Sequence, residues 1–370
     1  MNDITIDKTG WKKWRFDEVC RQINASSKDP EADGLHYVIG LEHIEPGNLH
    51  ITKWDTLEKE TTFTRKFVKG QVLFGRRRAY QRKVAYAEFD GICSGDILVF
   101  EAIEENLLPE LLPFLIQSDG FFEKALATSA GSLSPRTKFK ELADYEFFLP
   151  PKSEQKRLAE LLWAADEMIE KEKKELEKVK DTMRIELLQI GNYTFDSQLP
   201  LNSVCDILDN RRKPLSFRER DKIKGSYPYY GVNGIVDYIN QYIFDDDLVL
   251  LAEDCGNYSN FKEEPIAYFI TGKSWVNNHV HVLRAKEQIV ISKWLYYSLA
   301  HKDIVKYING STRGKLCSSE LSRIFLYVPT LEQQQNICID IEQKEIILLR
   351  LQNQISFSQQ LKQELINKIF

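Results

Sequence analysis

The 370-residue sequence predicts an α+β chain built twice over. Two related globular domains are separated by two long helices that form an antiparallel coiled coil with approximate two-fold symmetry. Three observations predict this. Two heptad combs each begin just after proline, short segments recur in the same order in both halves, and each half alternates short apolar strands with Gly, Asn and Asp turns.

The first comb lies in "FFLPPKSEQKRLAELLWAADEMI", Phe147 to Ile169, and its continuation. Pro150 and Pro151 fix φ and withhold a backbone donor, which suits the entry to a helix. Leu162, Ile169, Leu176, Met183 and Ile190 then recur every seven residues, with Leu158, Ala165 and Val179 in a companion stripe. A comb sustained over four heptads reads as a coiled-coil seam. An ordinary amphipathic surface helix is the alternative. The second comb follows Pro329: Ile341, Leu348, Ile355 and Ile369 keep the interval, with Leu351 and Leu365 beside them, and Lys362 interrupts the stripe. Thr330 and Gln333 fit a capping box. Glu154-Gln155 matches Glu332-Gln333 at an offset of 178, which sets Lys152 where Thr330 stands, so Ser153 is the expected cap of the first helix.

The repeat extends backward from the combs. "AGSLSPRTKFKEL" from Ala130 resembles "NGSTRGKLCSSEL" from Asn309, and "GQVLFGRR" from Gly70 resembles "DLVLLAED" from Asp247. "KVAYAEFDGICSGDILVF" from Lys83 parallels "PIAYFITGKSWVNNHVHVL" from Pro265. Similarity that keeps its order marks a duplicated unit. The expected boundaries are 1–150 for the first globular domain, 151–195 for the first helical spacer, 196–328 for the second domain and 329–370 for the second spacer. In each domain, strands such as "QVLFG" and "LVLLA" precede one helical stretch, "PELLPFLIQSDGFFEKAL" or "SKWLYYSLAHKDIVKYI".

Composition narrows the function. Hydrophobic residues are 43% and charged residues 28%, as in a globular protein. No run approaches the ~20 apolar residues of a bilayer span, and the N-terminus lacks a basic-then-apolar signal; the expected location is the cytoplasm. The six cysteines form no C-x-x-C and read as buried free thiols. His36, His43 and His50 recur every seven residues, but Pro46 and Gly47 break any helix that would gather them on a metal. There is no phosphate-binding G-x-x-x-x-G-K-[ST], no G-x-G-x-x-G and no G-x-S-x-G. Glu253-Asp254 is a candidate metal-carboxylate pair without a partnering lysine motif. These absences point from catalysis toward binding, and no cofactor is expected.

The positive signal is Arg65 to Lys83, "RKFVKGQVLFGRRRAYQRK", with eight basic residues, no acid, and interleaved aromatics. Clustered arginines can fork onto phosphates and guanine edges, which makes this run a nucleic-acid footprint. The candidate contacts are Arg76, Arg77, Arg78, Tyr80, Gln81, Arg82 and Lys83, with Arg136 and Lys138 from "SPRTK". The second domain offers Arg211, Arg212 and Lys213 in "NRRKP", Asn257, Tyr258 and Asn260 in "GNYSN", and Arg313 and Lys315 in "STRGK".

In this order the parts resemble the specificity subunit of a type I restriction-modification system. The resemblance rests on a basic strand-rich domain, "LPPKSEQKRLAELLWAADEMI", a second such domain and "VPTLEQQQNICIDI", with "YVIGLEHIEPGNL", "VNNHVHVL" and "GSTRGKL". It covers nearly the whole chain, and the order of the parts is what is specific. It implies two target-recognition domains, each reading one half of a bipartite DNA site. It implies helical spacers that hold DNA methyltransferase subunits, restriction subunits where the complex cleaves, and no catalysis in this chain. The stretch Leu162 to Ile190 spans roughly 43 Å at 1.5 Å per residue, against ~34–36 Å for one turn of B-DNA. A pair of such helices is expected to set the gap between two unlike DNA blocks. Two readings from other classes stand beside this one: a metal-dependent nuclease with duplicated domains, and a coiled-coil assembly protein.

Overall fold

The computed structural model describes residues 6–193, 197–232, 234–254, 258–310 and 314–370. It divides into two compact units, Met1–Lys173 with Asn353–Phe370, and Lys174–Gln352.

In the first unit, one antiparallel sheet runs in the order Cys20–Ile23, Ile97–Ala102, Val72–Gly75, Val84–Tyr86. A second sheet runs Asp55–Thr56, Tyr37–Ile39, Gly91–Cys93, Arg65–Phe67, and its central pair is parallel. Gly91 is required in that pair. A Cβ there would lie 2.6 Å from the Tyr37 carbonyl oxygen and 2.7 Å from the Phe67 ring. A two-stranded ribbon joins Lys12–Arg15 to Glu146–Leu149. The core packs Phe16, Phe74, Phe100, Phe114 and Phe121 against the sheet and the short helices.

The second unit repeats this topology. Its antiparallel sheet is Cys205–Ile207, Val280–Ala285, Leu248–Ala252, Ala267–Ile270. The other sheet is Gly234–Ile239, Lys224–Gly231, Lys273–Val276, Phe244–Asp245, again with a parallel central pair. The ribbon is Gln198–Pro200 with Phe325–Tyr327. The expected helical stretches are present but interrupted. Leu112–Gln117 stops at Ser118, whose hydroxyl accepts from the Phe121 N–H and starts Asp119–Ala127. Ser292–Ala300 is followed by a separate 3-10 turn, Val305–Tyr307.

The long helices are Lys152–Asn192 and Leu331–Ile369. The second starts with the expected capping box: the Gln333 N–H donates to Thr330 Oγ1 at 3.3 Å, and the Thr330 N–H donates to Gln333 Oε1 at 3.1 Å. The expectation for the first helix is corrected. Ser153 lies within it, and the Pro151 carbonyl receives the first helical bonds, from Glu154 and Gln155. The repeat offset is therefore 179, which sets Pro151 opposite Thr330. Two buried glutamines fix that register. Gln155 bonds the Asn106 and Pro150 carbonyls and the Leu108 N–H; Gln334 bonds the Ile289 and Pro329 carbonyls and the Ile291 N–H.

Within each unit the helices pack antiparallel, as a coiled coil. In the first, Asp166 meets Lys362 and Glu172 meets Ser358 and Gln354. In the second, Glu186 pairs with Lys344 at 2.8 Å, and Ile190 lies across a groove from Ile337 and Ile341. Leu162, Ile169, Ile341 and Ile355 of the expected seam are buried, whereas Leu176, Met183 and Leu348 are half-buried. Lys362 does not break the seam. It is itself buried there, beside Asp166, with Glu172 and Ser358 as further buried polar seam positions. Among the described residues no helix is long and apolar enough to cross a membrane.

Candidate nucleic-acid interface

The arginine run begins where the strand Val72–Gly75 ends. The Arg76 N–H donates to the Asp96 carbonyl and its own carbonyl accepts from Thr137, so backbone bonds on both sides fix the segment. Arg78 takes a left-handed conformation, φ 54°, and its N–H donates to the Pro135 carbonyl at 2.8 Å. Arg77 and Arg136 meet as a β-bridge. Arg77 and Arg136 thus pair with one carboxylate, Asp96, while Arg65 donates to the Gly95 and Ile97 carbonyls on either side of it and Arg76 lies close enough to feel the charges of Arg65, Asp96 and Arg136.

Asp96 is forked by Arg136, Nε to Oδ1 at 2.6 Å and Nη2 to Oδ2 at 3.2 Å, and receives Arg77 Nη1 at 3.3 Å. The Arg136 hydrogen bonds, followed by those of Arg77, hold its carboxyl below the usual range despite partial burial. Arg77 Nη2 donates to Ser134 Oγ at 3.1 Å. Arg76 has no carboxylate partner among the described residues; burial, then repulsion from Arg65 and Arg136, pulls its pKa down. Among the described residues, the buried Nε atoms of Arg76, Arg77 and Arg78 have no hydrogen-bond partner. Cations held together with one anion between them form a surface that gains when a further anion arrives.

The other expected residues of this domain divide. Tyr80 is 56% exposed on the 3-10 turn Ala79–Gln81, Gln81 is half-buried on the same turn, and Lys138 is exposed at the start of Phe139–Leu142. Arg82 and Lys83 are bonded within the domain. Arg82 pairs with Asp119 and lies over the Phe122 ring at 4.5 Å, and Lys83 donates to the Leu41 carbonyl at 2.6 Å.

In the second domain several expectations change. Arg212 is taken up by Glu253 at 2.6 Å, the Val280 carbonyl at 2.9 Å and the Asn278 carbonyl at 3.2 Å, with its side chain 12% exposed. Tyr258 is buried, its hydroxyl donating to the Ala252 carbonyl. Both are bonded within the domain. Asn260 is half-buried in the same 3-10 turn. Arg211 caps the Ile243 carbonyl and lies over Phe244, while Lys213 is exposed and Lys315 is half-exposed beside Glu253 at 3.2 Å. Asn257 and Arg313 lie outside the described residues.

The metal readings also meet the structure here. Asp209, Glu253 and His281 bring ligand atoms within 4.8 Å of one another. The Arg212 guanidinium pairs with both carboxylates there, at 3.5 Å and 2.6 Å, and His281 bonds Asp209 and the Leu316 carbonyl with its two ring nitrogens. That cluster already holds its cation. Asp254 pairs with His279 at 3.0 Å. Two of the N-terminal histidines have separate partners: His43 accepts from the Gly40 N–H and lies with Glu42 and Asp55 in a second group of ligand atoms within 4.8 Å, and His50 bridges Glu88 and Asp166.

A family model described as type I restriction modification DNA specificity domain matches residues 8–181 and 198–366. The chain belongs to that family. The two matches coincide with the two repeats, so each half is one specificity domain. The Haemophilus influenzae type I restriction enzyme specificity subunit S.HindORF215P is 35% identical over 139 residues, 37% of this chain and 34% of the relative. The Escherichia coli EcoDI specificity subunit is 27% identical over 167 residues, 44% of this chain and 37% of the relative. The match thus spans about a third of the length of these curated relatives. Two solved structures share the fold. One is a chain from the complex assembly and conformational transition of the type I R-M system, with TM-score 0.62, 19% identity and 97% of both chains covered. The other is the type I restriction-modification S subunit from M. genitalium, with TM-score 0.59, 16% identity, 100% of this chain and 97% of that one.

Asp96 and Arg65 were not among the candidates read from the sequence, although Arg65 heads the basic run. Asp96 stands twenty residues from Arg76 in an ordinary bend, and only sheet pairing brings them together. His281 and Asp209 likewise carry no local signal.

Proposed function

We propose that this chain is the sequence-specific DNA-recognition subunit of a type I restriction-modification complex. Residues 1–150 and 196–328 each read one half of a bipartite site. Residues 151–195 and 329–370 set the spacing and seat DNA methyltransferase subunits, with restriction subunits added where the complex cleaves. The chain itself performs no catalysis, needs no cofactor and works in the cytoplasm. The observation that carries the reading is Arg76, a half-buried guanidinium without a carboxylate partner among the described residues, beside the Arg77 and Arg136 guanidiniums that pair with Asp96. Such a cluster fits the phosphates and acceptor edges of duplex DNA. Arg76, Arg77, Arg78 and Arg136 are the proposed core of the first contact, with Tyr80, Gln81 and Lys138 at its rim. Arg82 and Lys83 serve the domain's own packing. In the second domain Arg211, Lys213 and Lys315 remain as contacts.

The test is duplex binding across a salt series by the chain with its methyltransferase subunits, comparing the natural sequence with Arg76→Ala, Arg77→Ala and Arg136→Ala combined. Each arginine taken away from a phosphate should lower the slope of log affinity against log salt by about 0.9. A folded triple variant with unchanged affinity and slope would remove this patch from the interface.

A further inference from the structure

The two specificity domains share a backbone frame that presents side chains of exchanged charge. In the first, Arg76 donates to the Asp96 carbonyl at 3.0 Å and accepts from Thr137 at 3.1 Å. Arg77 bridges Arg136, and Arg136 exchanges two backbone bonds with Ala130. In the second, Glu253 donates to the His279 carbonyl at 2.9 Å and accepts from Leu316 at 2.8 Å. Asp254 bridges Lys315, and Lys315 exchanges two backbone bonds with Asn309. Even the bend is copied: the Asp96 N–H is held by Ser94 Oγ and the His279 N–H by Asn277 Oδ1. The frame equates Arg77 with Asp254 and Asp96 with His279. Each pair is in contact, Arg77 with Asp96 at 3.3 Å and Asp254 with His279 at 3.0 Å, but the carboxylate and its nitrogen-bearing partner have changed places.

A frame that keeps a hydrogen-bonded side-chain pair in one place while exchanging its members is suited to orienting whichever member faces the ligand. We propose that Asp96 is the positioning residue of the first half-site: it fixes the directions of the Arg77 and Arg136 guanidiniums so that their remaining N–H groups meet acceptor edges of bases. The inference rests on the DNA-recognition reading above and adds to it a source of specificity. Asp96 occupies Nε and Nη2 of Arg136 and Nη1 of Arg77, and Ser134 takes Nη2 of Arg77. Neither side chain can swing without breaking two of these bonds. A long arginine held at two points meets a base edge without the loss of rotamer freedom that a loose one suffers. A guanidinium aimed at the O6 and N7 acceptors of guanine discriminates against other bases, whereas one contacting only phosphate does not.

Removing the carboxylate should therefore separate affinity from specificity. Asp96→Asn deletes a negative charge beside the DNA, so overall affinity holds or rises, while the arginines lose their direction. The experiment co-expresses the full chain with its methyltransferase subunits and maps methylated sites across genomic DNA, with duplex affinity and thermal unfolding measured on the purified complex. In Asp96→Asn, methylation at sites mismatched within the first block should rise about tenfold or more relative to matched sites. The second block should keep its sequence, and Asp96→Glu should retain most of the first block's discrimination. Arg136→Lys keeps the charge and loses the fork, so it should relax the same block even if Asp96→Asn fails to fold. Undiminished first-block discrimination in folded Asp96→Asn, or in Arg136→Lys, would overturn the proposal, as would equal relaxation of both blocks. If the triple alanine variant at Arg76, Arg77 and Arg136 weakens binding while these variants keep their discrimination, the interface stands and only the positioning role falls. If the triple variant binds normally, the interface itself falls.

Discussion

Lys362 Nζ donates to Asp166 Oδ1 at 2.6 Å, with the two side chains 6% and 4% exposed, in the seam of the two long helices one turn from the buried Ser358. His50 Nε2 reaches the other oxygen, Oδ2, at 2.9 Å. One carboxylate thus ties the second long helix and a loop of the first globular domain to the first long helix. A buried polar layer adds little net stability but penalises every register in which its partners part.

Breaking that layer on one side should be costly. Lys362→Met leaves the Asp166 carboxylate buried beside a single remaining cation and should destabilise the protein by about 3–5 kcal/mol. The double change Lys362→Met with Asp166→Leu should recover part of the loss, even though His50 then keeps only Glu88. Denaturant unfolding of the two single variants and the double variant checks this as a double-mutant cycle. Additive losses would show that the two residues are not coupled.

The same layer predicts a pH dependence. The hydrogen bond that His50 donates to Asp166, outweighing burial, raises the His50 pKa from 6.5 to about 9. A raised folded pKa means that the charged imidazole stabilises the fold fully below the unfolded value, and that this stability is lost as pH climbs through about 9. The difference in melting temperature between the natural protein and His50→Ala should therefore shrink from pH 6 to pH 10. A difference that stays constant over that range would show that His50 is not charged in the folded protein.

Arg212 and Lys315 both touch Glu253, yet their removal should read differently. Arg212→Ala leaves Asp209 and Glu253, each about 15% exposed, without the guanidinium between them. It should cost about 3–5 kcal/mol of stability. Lys315 is half-exposed, and its surface pair contributes at most about 1 kcal/mol, so Lys315→Ala should act on DNA binding and barely on unfolding. Thermal melts alongside a binding isotherm separate the two. A stable Arg212→Ala that binds DNA poorly would return Arg212 to the interface.

Spacing offers a test of the helices. Four residues inserted after Leu176 add ~6 Å and turn the following segment by about 40° past a full turn. Glu186 then leaves Lys344, and the gap between DNA blocks should lengthen or methylation should cease. Seven inserted residues add ~10.5 Å and nearly restore the heptad phase, so folding should survive better than with four. Methylation mapping of both variants decides; an unaltered gap at full activity would mean that these helices set no distance.

The sequence by itself determined the elements and their duplication. Prolines 150, 151 and 329, the seven-residue combs and the strand-turn alternation are local, and local preferences survive into the fold because tertiary packing agrees with them. The Thr330–Gln333 cap was legible for the same reason: both partners lie within one helical turn. The tertiary structure decided which charges are available. Arg82 and Arg212 look like Arg76 in sequence, but Asp119 in one case and Glu253 in the other neutralise them from across the fold. Asp96 and Asp166 gave no signal at all, because a carboxylate acquires its role from partners 19 to 196 residues away that only sheet pairing and helix packing bring within hydrogen-bond reach. Lys362 broke a hydrophobic pattern when read along the chain. The pattern holds no record of the facing residue, and it is the facing carboxylate that makes a buried lysine tolerable.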